Sequence, residues 1–435
     1  MRLELASFQI DNVELAPETR LSGGTLYVNE SELKEHLLPD PYIDDIRVDV
    51  ARPGESARIV HAVDVVEPRD KAAGPGSIFP GRLGPPTQVG SGTTNRLAGM
   101  TVVGTAEPFV GEEYWYAREA IIDMSGPGAE FSPFSRTVNL ALHFIPKPGG
   151  MELDPERRKQ FVVDTRTRDA ELRMKATRHL CLKAAKFLAG KAKGLTPDST
   201  QTYELGPGDP ALPGVVYLCK SLAASFYGAF STTRNWVMPM HPNEMMDGAV
   251  VNFGFLIAAN FRDSTYTYQN NDVVEELYSR HGVDLNFRGV LFYSGFPYTL
   301  ERKELEAGSV VRTAKMLGAD AAIIAPLSDG HPSVETMMIC RMCEEAGIST
   351  AIGAGEMTAN EGDPGFTHWV PQADALVVAG DSHHKLALPA VDRVIGGRRV
   401  LLGDQAAAGE IDVEARQMYG ASNPGGATRL MGRLY

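Results

Sequence analysis

The sequence predicts an α/β protein in which a β-rich N-terminal half is followed by an α/β region with a parallel, doubly wound sheet in the C-terminal half. Two observations lead to this fold class. Through the first third of the chain, short stretches alternate between apolar and polar residues or are rich in β-branched residues, as strands are. After about residue 285, apolar runs alternate with helical patterns, which indicates parallel strands joined by crossover helices.

The N-terminal half is expected to contain one helix, Glu32–Leu38, and several strands. The strands are expected within Arg2–Leu15, Gly24–Val28, Ile46–Val50, Ala57–Val66, Met100–Val103, Glu119–Met124 and Thr137–Ile145. Residues 68–99 are rich in Gly, Pro, Ser and Thr. A long irregular stretch of this kind in a compact chain is usually functional or contacts a partner.

The pattern changes at Pro146–Gly150, and the chain then reads as helical over 154–190 with a strand at Val215–Cys219. The later strands are expected at Gly289–Tyr293, Ala321–Ala325, Ser349–Ile352 and Ala375–Ala379, and the later helices at Glu304–Leu317, Val334–Ala346 and Ala387–Ile395. We therefore expect three regions: a β-rich domain over 1–148, a mixed α/β region over 149–284 and a parallel α/β domain over 285–435.

Composition excludes several classes of protein. Lys plus Arg number 42 and Asp plus Glu 55, so the net charge is 42 − 55 = −13, which disfavours binding to nucleic acid or to an anionic membrane surface. No apolar run approaches the ~18 residues of a transmembrane helix, and the first residues do not read as a signal peptide. Four cysteines are too few for a disulfide framework. We expect a cytoplasmic protein.

Acidic and imidazole side chains follow the ends of the predicted parallel strands. Because ligands of such sheets bind beyond the carboxyl ends of the strands, we expect these side chains to contact a small-molecule substrate. They are Asp329, His331, Glu356, Asp381, His383 and His384.

A second candidate site is the segment that contains His241, Glu244 and Asp247, which are spaced three residues apart. On a helix they would share one face, and an imidazole with two carboxylates is a set that can bind a divalent metal. In the alternative interpretation, Asn243 caps a short helix and His241 lies in a turn before Pro242.

The cysteine spacing does not indicate redox chemistry. Cys340 and Cys343 lie well inside a predicted helix, whereas a redox-active dithiol has its first cysteine at a helix N-terminus. We therefore expect both sulfurs to be buried core atoms. The sequence also contains neither a phosphate-binding loop nor a dinucleotide fingerprint after a strand.

Several segments together resemble a known family. They are Met1–Leu5, Gly24–Asn29, Ala51–Ser56, Arg58–Ile59, Phe79–Gly81, Ile122–Ala129, Met246–Val250, Val274–Tyr278, Arg280–Gly282 and Leu388–Ala390. In this order they resemble the proprotein subunit of component B in the glycine, sarcosine and betaine reductase complexes.

The resemblance implies an oxidoreductase activity within a multisubunit complex. Component B of that family recognises a small amino acid or its N-methyl derivative, and its proprotein cleaves itself before a cysteine that becomes a pyruvoyl group. That group captures the substrate amine as a Schiff base. A selenocysteine or cysteine of a partner subunit then displaces the amine. The resemblance therefore implies a thiol- or selenol-bearing partner, and we expect an oligomer.

The chain departs from the family at the processing position. The corresponding stretch, Val250–Asn260, contains no Cys, Ser or Thr, so it has no side chain that could accept the acyl group and then leave. Ser264 and Thr265 are the nearest hydroxyls that could serve as alternatives. We expect an intact chain without pyruvoyl, and a divalent metal is the cofactor that could take its place.

Three hypotheses about function follow. The leading one is an unprocessed paralogue that cleaves a C–N or related bond of a small amino acid or amine together with its partner subunit. The second is a non-catalytic substrate-binding or scaffolding subunit. The third is a metal-dependent lyase that uses His241, Glu244 and Asp247.

Overall fold

The computed structural model describes residues 1–106, 120–147, 165–220, 224–230, 236–253, 263–294, 299–326, 331–356, 366–381, 383–400 and 405–421. The strands up to residue 146 are β1 (Arg2–Gln9), β2 (Asn12–Leu15), β3 (Arg20–Ser22), β4 (Thr25–Val28), β5 (Ile43–Ala51), β6 (Ala57–Val60), β7 (Ala62–Val66), β8 (Arg69–Ala73), β9 (Gly92–Ala98), β10 (Met100–Ala106), β11 (Ile122–Asp123) and β12 (Val138–Pro146).

The remaining strands are β13 (Ser199–Glu204), β14 (Gly214–Lys220), β15 (Ala224–Phe226), β16 (Ala229–Phe230), β17 (Trp236–Met240), β18 (Val250–Asn252), β19 (Asn286–Ser294), β20 (Ala321–Ala325), β21 (Ser349–Glu356), β22 (Leu376–Asp381), β23 (Lys385–Leu388), β24 (Arg393–Gly396), β25 (Arg399–Val400), β26 (Gln405–Ala406) and β27 (Ile411–Glu414). The α-helices are α1 (Glu30–Leu37), α2 (Thr165–Ala189), α3 (Pro242–Glu244), α4 (Thr265–Gln269), α5 (Asp272–Arg280), α6 (Leu300–Met316) and α7 (His331–Glu345). A π-helical turn spans Met245–Ala249, and 3₁₀ turns span Pro127–Phe131, Pro133–Arg136, Gly190–Ala192 and Ala415–Gln417.

The two largest sheets of the N-terminal half have four strands each. Their strand orders are β13-β1-β9-β8 and β5-β12-β10-β7. The long helix α2 packs on β7, β8 and β10, and its buried residues join the core of these sheets. Alternation of buried and exposed residues along β5 follows from the period of two in a strand that is half covered. The prediction of a β-rich half is confirmed.

The parallel sheet has six strands in the order β17-β19-β14-β20-β21-β22. All neighbours from β19 to β22 are parallel, and only β17 at one edge runs antiparallel. Val216 and Leu218 of β14 point into the core that contains α6 and α7, whereas Tyr217 and Cys219 point into the core on the other face. Both faces are covered, so the predicted doubly wound α/β arrangement is confirmed.

Side-chain caps define where several helices begin. Asn29, Asn271 and Thr299 each accept a backbone hydrogen bond at the start of α1, α5 and α6. Such caps satisfy the N–H groups that have no partner within the helix.

The strand order of the parallel sheet reverses at β14: the next parallel strand, β19, lies on one side of it and β20 on the other. The carboxyl end of β14 is therefore the switch point of the sheet.

The predicted helix at Ala387–Ile395 is wrong. The segment contains the end of β23, Pro389 and the start of β24. β23 pairs with β27, and β24 pairs in parallel with β6 more than 300 residues earlier. A proline inside the segment disfavours a continuous helix, and the distant strand partner cannot be read from the local pattern. The stretch 68–99, which was expected to be irregular, contains the whole of β8 and β9 on either side of irregular chain.

Strands from different parts of the chain share sheets. β13 pairs with β1, β24 pairs with β6, and β14 lies between β19 and β20. The predicted boundaries at 148 and 284 are therefore crossed by strand pairing, and the division into three domains stays a prediction. In the part of the chain that the structure describes, no helix is long and apolar enough to span a bilayer.

Candidate functional site

The carboxyl ends of the parallel strands lie along one edge of the sheet, as predicted. Glu356 at the end of β21 lies opposite Asp381 at the end of β22 in the strand register. His331 is the first residue of α7, and Asp329 lies outside the described residues. The structure thus brings Glu356 and Asp381 together, and the substrate-binding role of these residues stays a prediction.

The two adjacent histidines lie farther along the chain, after the end of β22. His383 is half-buried and His384 is exposed. The ring of His384 stacks on Phe131 with ring centroids 5.6 Å apart. The backbone carbonyl of His384 accepts a hydrogen bond from the N–H of Ala415. His384 therefore contacts the β-rich half, and its predicted role in substrate binding is untested.

A buried charged cluster lies at the switch point of the sheet. Lys220, the last residue of β14, and Lys303 of α6 both donate to the carboxylate of Glu335 on α7. Burial lowers the pKa of Lys220, with Glu306 opposing this effect and Lys303 adding to it. The sequence pattern does not predict this cluster. Its one local signal is a lysine directly after the buried strand Val215–Cys219.

The segment 241–249 is helical for only one turn. α3 is followed by the π-helical turn, in which Asp247 and Gly248 leave helical geometry. His241 is the N-cap residue: its Nδ1 accepts from the N–H of Asn243 at 3.2 Å. One interpretation of the sequence expected Asn243 to cap this helix. That expectation is wrong, because the N-cap residue is His241. Burial lowers the pKa of His241 to about 4, and the positive charge of the chain's amino terminus acts in the same direction.

The two carboxylates of this segment are bound by protein groups. Asp247 is fully buried and accepts from the N–H of Gly90 at 2.7 Å, from the hydroxyl of Thr94 at 2.5 Å and from the Nζ of Lys71. Glu244 accepts from the Tyr227 hydroxyl at 2.5 Å and from the N–H of the capping histidine at 2.9 Å.

These contacts favour a structural role for the segment. Apart from the N–H of His241, the donors around both carboxylates come from other parts of the fold, so the two acids hold the segment in place. Within the described ranges, no group of three or more His, Cys, Asp or Glu side chains is arranged to bind a metal ion. The catalytic assignment of His241, Glu244 and Asp247 stays a prediction.

Arg82 lies in the loop after β8. Arg82 and its neighbour Gly81 contact β15, the turn that joins β15 to β16, and the residue that follows β18. Its Nε and Nη2 donate to the hydroxyl of Ser225 at 3.0 and 2.6 Å. Its guanidinium carbon lies 3.7 Å from the ring centroid of Phe253. Burial lowers the pKa of Arg82 to about 10. The surrounding Gly- and Pro-rich stretch stands out in the sequence, but this arginine does not.

The backbone around Arg82 is tightly fitted. A Cβ on Gly81 would lie 2.0 Å from the carbonyl oxygen of Tyr227, so only glycine allows this approach. Phe79 and Tyr227 have φ values of 54° and 47°. These values lie in the left-handed region, which residues other than glycine rarely adopt. A Cβ on Gly248 would lie 3.1 Å from the Phe79 ring. The segments Phe79–Gly81 and Met246–Val250 are therefore in contact.

The two ends of the stretch between β18 and α4 are tied together. The amide of Asn252 donates to the carbonyl of Asp263 at 2.9 Å. The hydroxyl of Thr265 donates to Asp64 at 2.6 Å and accepts from the N–H of Asn252. Ser264 caps α4. Burial raises the pKa of Asp64 to about 6, partly offset by Arg178 and Thr265.

All four cysteine thiols are buried. Cys340 and Cys343 lie on α7 within the core on one face of the parallel sheet, which confirms the prediction for this pair. Burial raises the pKa of Cys343 to about 12. A thiol of this kind is a poor nucleophile at neutral pH.

Comparison with known proteins gives a match over nearly the whole chain. The family of glycine/sarcosine/betaine reductase component B subunits matches residues 1–431. The component B subunits alpha and beta of the glycine reductase complex of Acetoanaerobium sticklandii are 33% identical over 457 residues, with 100% of each chain covered. No solved structure matches the chain.

Relatives from the other two complexes also match. The component B subunit alpha of the sarcosine reductase complex of Peptoclostridium acidaminophilum is 32% identical, with 100% of each chain covered. Subunit alpha of the betaine reductase component B from the same organism is 28% identical over 94% of this chain and 91% of its own length. The chain therefore belongs to the glycine/sarcosine/betaine reductase component B subunit family.

Proposed function

We propose that this chain is a component B-type subunit that stays intact and acts on a small amino acid or amine derivative together with a thiol- or selenol-bearing partner subunit. The partner's thiolate or selenolate attacks the carbon that bears the nitrogen. The C–N electron pair leaves with the nitrogen, which takes up a proton and departs as the free amine. A thioether or selenoether remains on the partner.

The observation that carries this proposal is a full-length family match combined with a changed processing stretch. Val250–Asn260 contains no Cys, Ser or Thr, so these residues do not fit a pyruvoyl group formed by chain cleavage. Such cleavage needs a side-chain hydroxyl or thiol that first accepts the acyl group. The proposed reaction therefore has no step that involves a pyruvoyl group.

The contacts of the nearest hydroxyls also support an intact chain. Ser264 and Thr265 are fully buried. The Ser264 hydroxyl accepts from the N–H of Thr267 as the helix cap, and the Thr265 hydroxyl donates to Asp64. Attack on the preceding peptide bond would break these hydrogen bonds in the core, where an unsatisfied group costs ~1–3 kcal/mol.

The experiment is an intact-mass measurement on the purified chain. We expect a single species near 47.1 kDa. Two fragments that sum to this mass, one of them with a blocked N-terminus, would overturn the proposal. Thr265→Val is the matched variant, because it removes only the hydroxyl: if the wild type is cleaved and this variant is not, processing occurs at Thr265.

Activity measurements test the partner requirement. We expect amine release from glycine, sarcosine or betaine only when the chain is combined with a thiol- or selenol-bearing subunit. Full activity of the isolated chain would contradict the proposal. No amine release from the combination, with ligand binding retained, would instead favour a non-catalytic substrate-binding or scaffolding subunit.

The metal-dependent lyase that uses His241, Glu244 and Asp247 remains an untested alternative. Its test is elemental analysis of the wild type and of His241→Ala. A stoichiometric divalent metal that is lost in this variant would support the lyase and the divalent-metal prediction. An unchanged metal content in His241→Ala would contradict the lyase hypothesis.

A further inference from the structure

We propose that four lysines at the end of α2 and in the turn after it form the docking surface for an acidic face of the thiol- or selenol-bearing partner subunit. This lysine patch consists of Lys183, Lys186, Lys191 and Lys193. The inference rests on the proposed function and deepens it, because it names the surface that holds the partner and the chemistry of the partner's contacting face.

The charge along α2 is opposite to that of the whole chain. The net charge of the chain is −13, yet residues 172–197 contain seven Lys or Arg and no Asp or Glu. A surface that is positive here and negative elsewhere attracts an acidic partner to this face and repels it from the others. The charge distribution therefore favours one orientation of such a partner.

The helical period brings the lysines to one side of α2. Lys183 and Lys186 are three residues apart and half-buried, whereas the opposite face, which includes Leu188, is buried in the core. Lys191 lies in the 3₁₀ turn that follows, and Lys193 comes directly after this turn and is exposed. The patch therefore continues from the last turns of the helix into the connecting chain.

Two neighbouring groups respond to several of these charges at once. Desolvation lowers the pKa of His36 on α1, and three patch residues lower it further: Lys183, Lys191 and Lys186. Burial raises the pKa of Asp70, and the charges of Lys186 and Lys193 oppose this effect. Because the lysines act on shared neighbours, their charges form one cluster and are not scattered over the surface.

The fold does not use the patch lysines as ion-pair partners. Among the residues that the structure describes, none of the four forms a salt bridge with a carboxylate. By contrast, Lys71 and Lys220 pair in the core with Asp247 and Glu335. The positive charge of the patch is therefore left for a group outside the chain.

Neutral contacts hold part of the patch in place. The Nζ of Lys183 donates to the backbone carbonyl of Leu37 at 3.4 Å. The Nζ of Lys191 lies 4.5 Å from the ring centroid of Phe187, whose ring also stacks on His36 with centroids 4.6 Å apart. These contacts restrict the side chains without neutralising their charge, which lowers the entropy lost when a partner binds.

The length of the patch fits an extended acidic surface and not a small anion. A helix rises ~1.5 Å per residue, so the ten residues from Lys183 to Lys193 span ~15 Å. Side chains spread over this distance do not converge on a single phosphate or carboxylate. Nucleic acid and anionic membranes extend beyond such a patch, and they would meet the negative charge of the remaining surface.

An apolar residue next to the patch also favours a protein partner. Leu195 lies two residues after Lys193 and is 47% exposed. Protein interfaces combine apolar contacts with a charged rim, whereas a polyanion contacts charged groups almost alone. The patch and this leucine together therefore fit an acidic protein face that also carries apolar side chains.

The N-terminal end of the patch lies near the stretch that differs from the family. His179 is one helical turn before Lys183. Burial lowers the pKa of His179, the charges of Lys183 and Arg82 add to this effect, and Asp40 opposes it. Arg82 in turn contacts the ring of Phe253, which belongs to the stretch that corresponds to the family's processing segment. A partner docked on the patch would therefore have its nucleophile near that stretch.

The first experiment is fluorescence anisotropy with the intact chain and a labelled decaglutamate peptide as the probe, compared with labelled decaglutamine. The patch variant is Lys186→Glu/Lys193→Glu. We expect it to weaken decaglutamate binding by ~10- to 100-fold, because like charges then face each other. Binding by the wild type is expected to weaken when salt is raised from about 0.05 M to about 0.5 M.

The matched control is Arg302→Glu/Lys315→Glu, which changes the net charge by the same amount on α6. Lys315 lies in the last turn of its helix, as Lys186 does, and Arg302 is exposed, as Lys193 is. Its affinity for decaglutamate is expected to equal that of the wild type. Circular dichroism checks folding, and if the patch variant does not fold, Lys193→Glu decides the outcome because it lies outside the helix.

The second experiment measures amine release at increasing concentrations of the thiol- or selenol-bearing subunit. We expect the patch variant to need ~10- to 100-fold more of this subunit for half its maximal rate. The KM for the small substrate is expected to stay unchanged, because the patch holds the partner and not the substrate. The control variant is expected to behave as the wild type in both respects.

Four results would overturn the inference. They are the absence of decaglutamate binding by the wild type, equal affinity of the wild type and the folded patch variant, an equal loss in the control variant, and binding of a DNA duplex or of phosphatidylglycerol vesicles that is as tight as that of the peptide.

These outcomes are distinct from failure of the proposed function. Absence of amine release, together with peptide binding that depends on the patch, would remove the proposed reaction and keep the acidic docking surface. Amine release with an unchanged requirement for the partner in the patch variant would keep the proposed reaction and overturn the docking surface.

Discussion

Replacement of Asp247 by alanine tests whether this carboxylate holds the fold or takes part in chemistry. Asp247 and the side chain of Lys71 are buried, and the pair is joined by a direct hydrogen bond. Removing one member of a buried ion pair leaves the other charge without compensation, which costs ~3–5 kcal/mol. The Thr94 hydroxyl and the Gly90 N–H also lose their acceptor. We therefore expect Asp247→Ala to lower the free energy of unfolding by at least ~4 kcal/mol.

The assay is equilibrium urea unfolding followed by far-UV circular dichroism, with linear extrapolation to water. Lys71→Met and the double variant Lys71→Met/Asp247→Ala complete a double-mutant cycle. Because the double variant leaves no stranded charge, its loss is expected to be smaller than the sum of the single losses by ~2–3 kcal/mol.

The control for this prediction is Asp284→Ala, which removes the exposed carboxylate that pairs with Arg280 four residues earlier in the chain. Water screens an exposed pair, so no measurable change is expected. A loss below ~1 kcal/mol for Asp247→Ala, or exact additivity in the cycle, would refute the structural reasoning. A variant that stays fully stable but loses activity would favour the catalytic prediction for Asp247 instead.

Three further predictions follow from burial and packing. The pKa of His241 is lowered from 6.5 to about 4, so the unfolded chain takes up a proton there before the folded chain does, and stability should fall as the pH drops from 6.5 towards 4. His241→Asn keeps a capping acceptor, and urea unfolding at neutral and acidic pH should show a smaller fall; an unchanged fall would contradict this. Gly81→Ala should lower the melting temperature more than Gly23→Ala, because the new Cβ meets the Tyr227 carbonyl in the first case and nothing within 4 Å in the second, and equal losses would argue against the close approach. The cysteine thiols should react with Ellman's reagent only after unfolding, and a thiol that reacts in the native protein would contradict their burial.

Much of the parallel sheet could be predicted because its signals are local. The run Ala321–Ala325 is a strand with the predicted bounds, and the helix that contains Cys340 extends the predicted one by a few residues at its start. Parallel strands covered on both faces need continuous apolar runs, which are visible without knowledge of neighbours. The order of the strands could not be predicted in the same way, because β14 enters the centre of the sheet from a region predicted to be separate.

The features that could not be predicted depend on contacts with distant parts of the chain. The segment Ala387–Ile395 has apolar residues that fit a helix or a strand about equally well, and its strand partners are β27 and the distant β6. Lys220 and Arg82 are single charged residues whose neighbours come from other segments. A charged residue in a loop or at a strand end is usually solvated, so the local pattern does not distinguish these from ordinary surface residues.

By itself, the sequence determined the α/β class, the shared edge at the carboxyl ends of the parallel strands, the resemblance to component B subunits and the lack of a processing side chain in Val250–Asn260. These properties depend on residue type and order along the chain. Only the tertiary structure decided which polar groups meet: Asp247 with Lys71, and Arg82 with Ser225 and Phe253. Hydrogen bonds and ion pairs act over a few ångströms, and contacts between residues more than 140 positions apart exist only after the chain has packed.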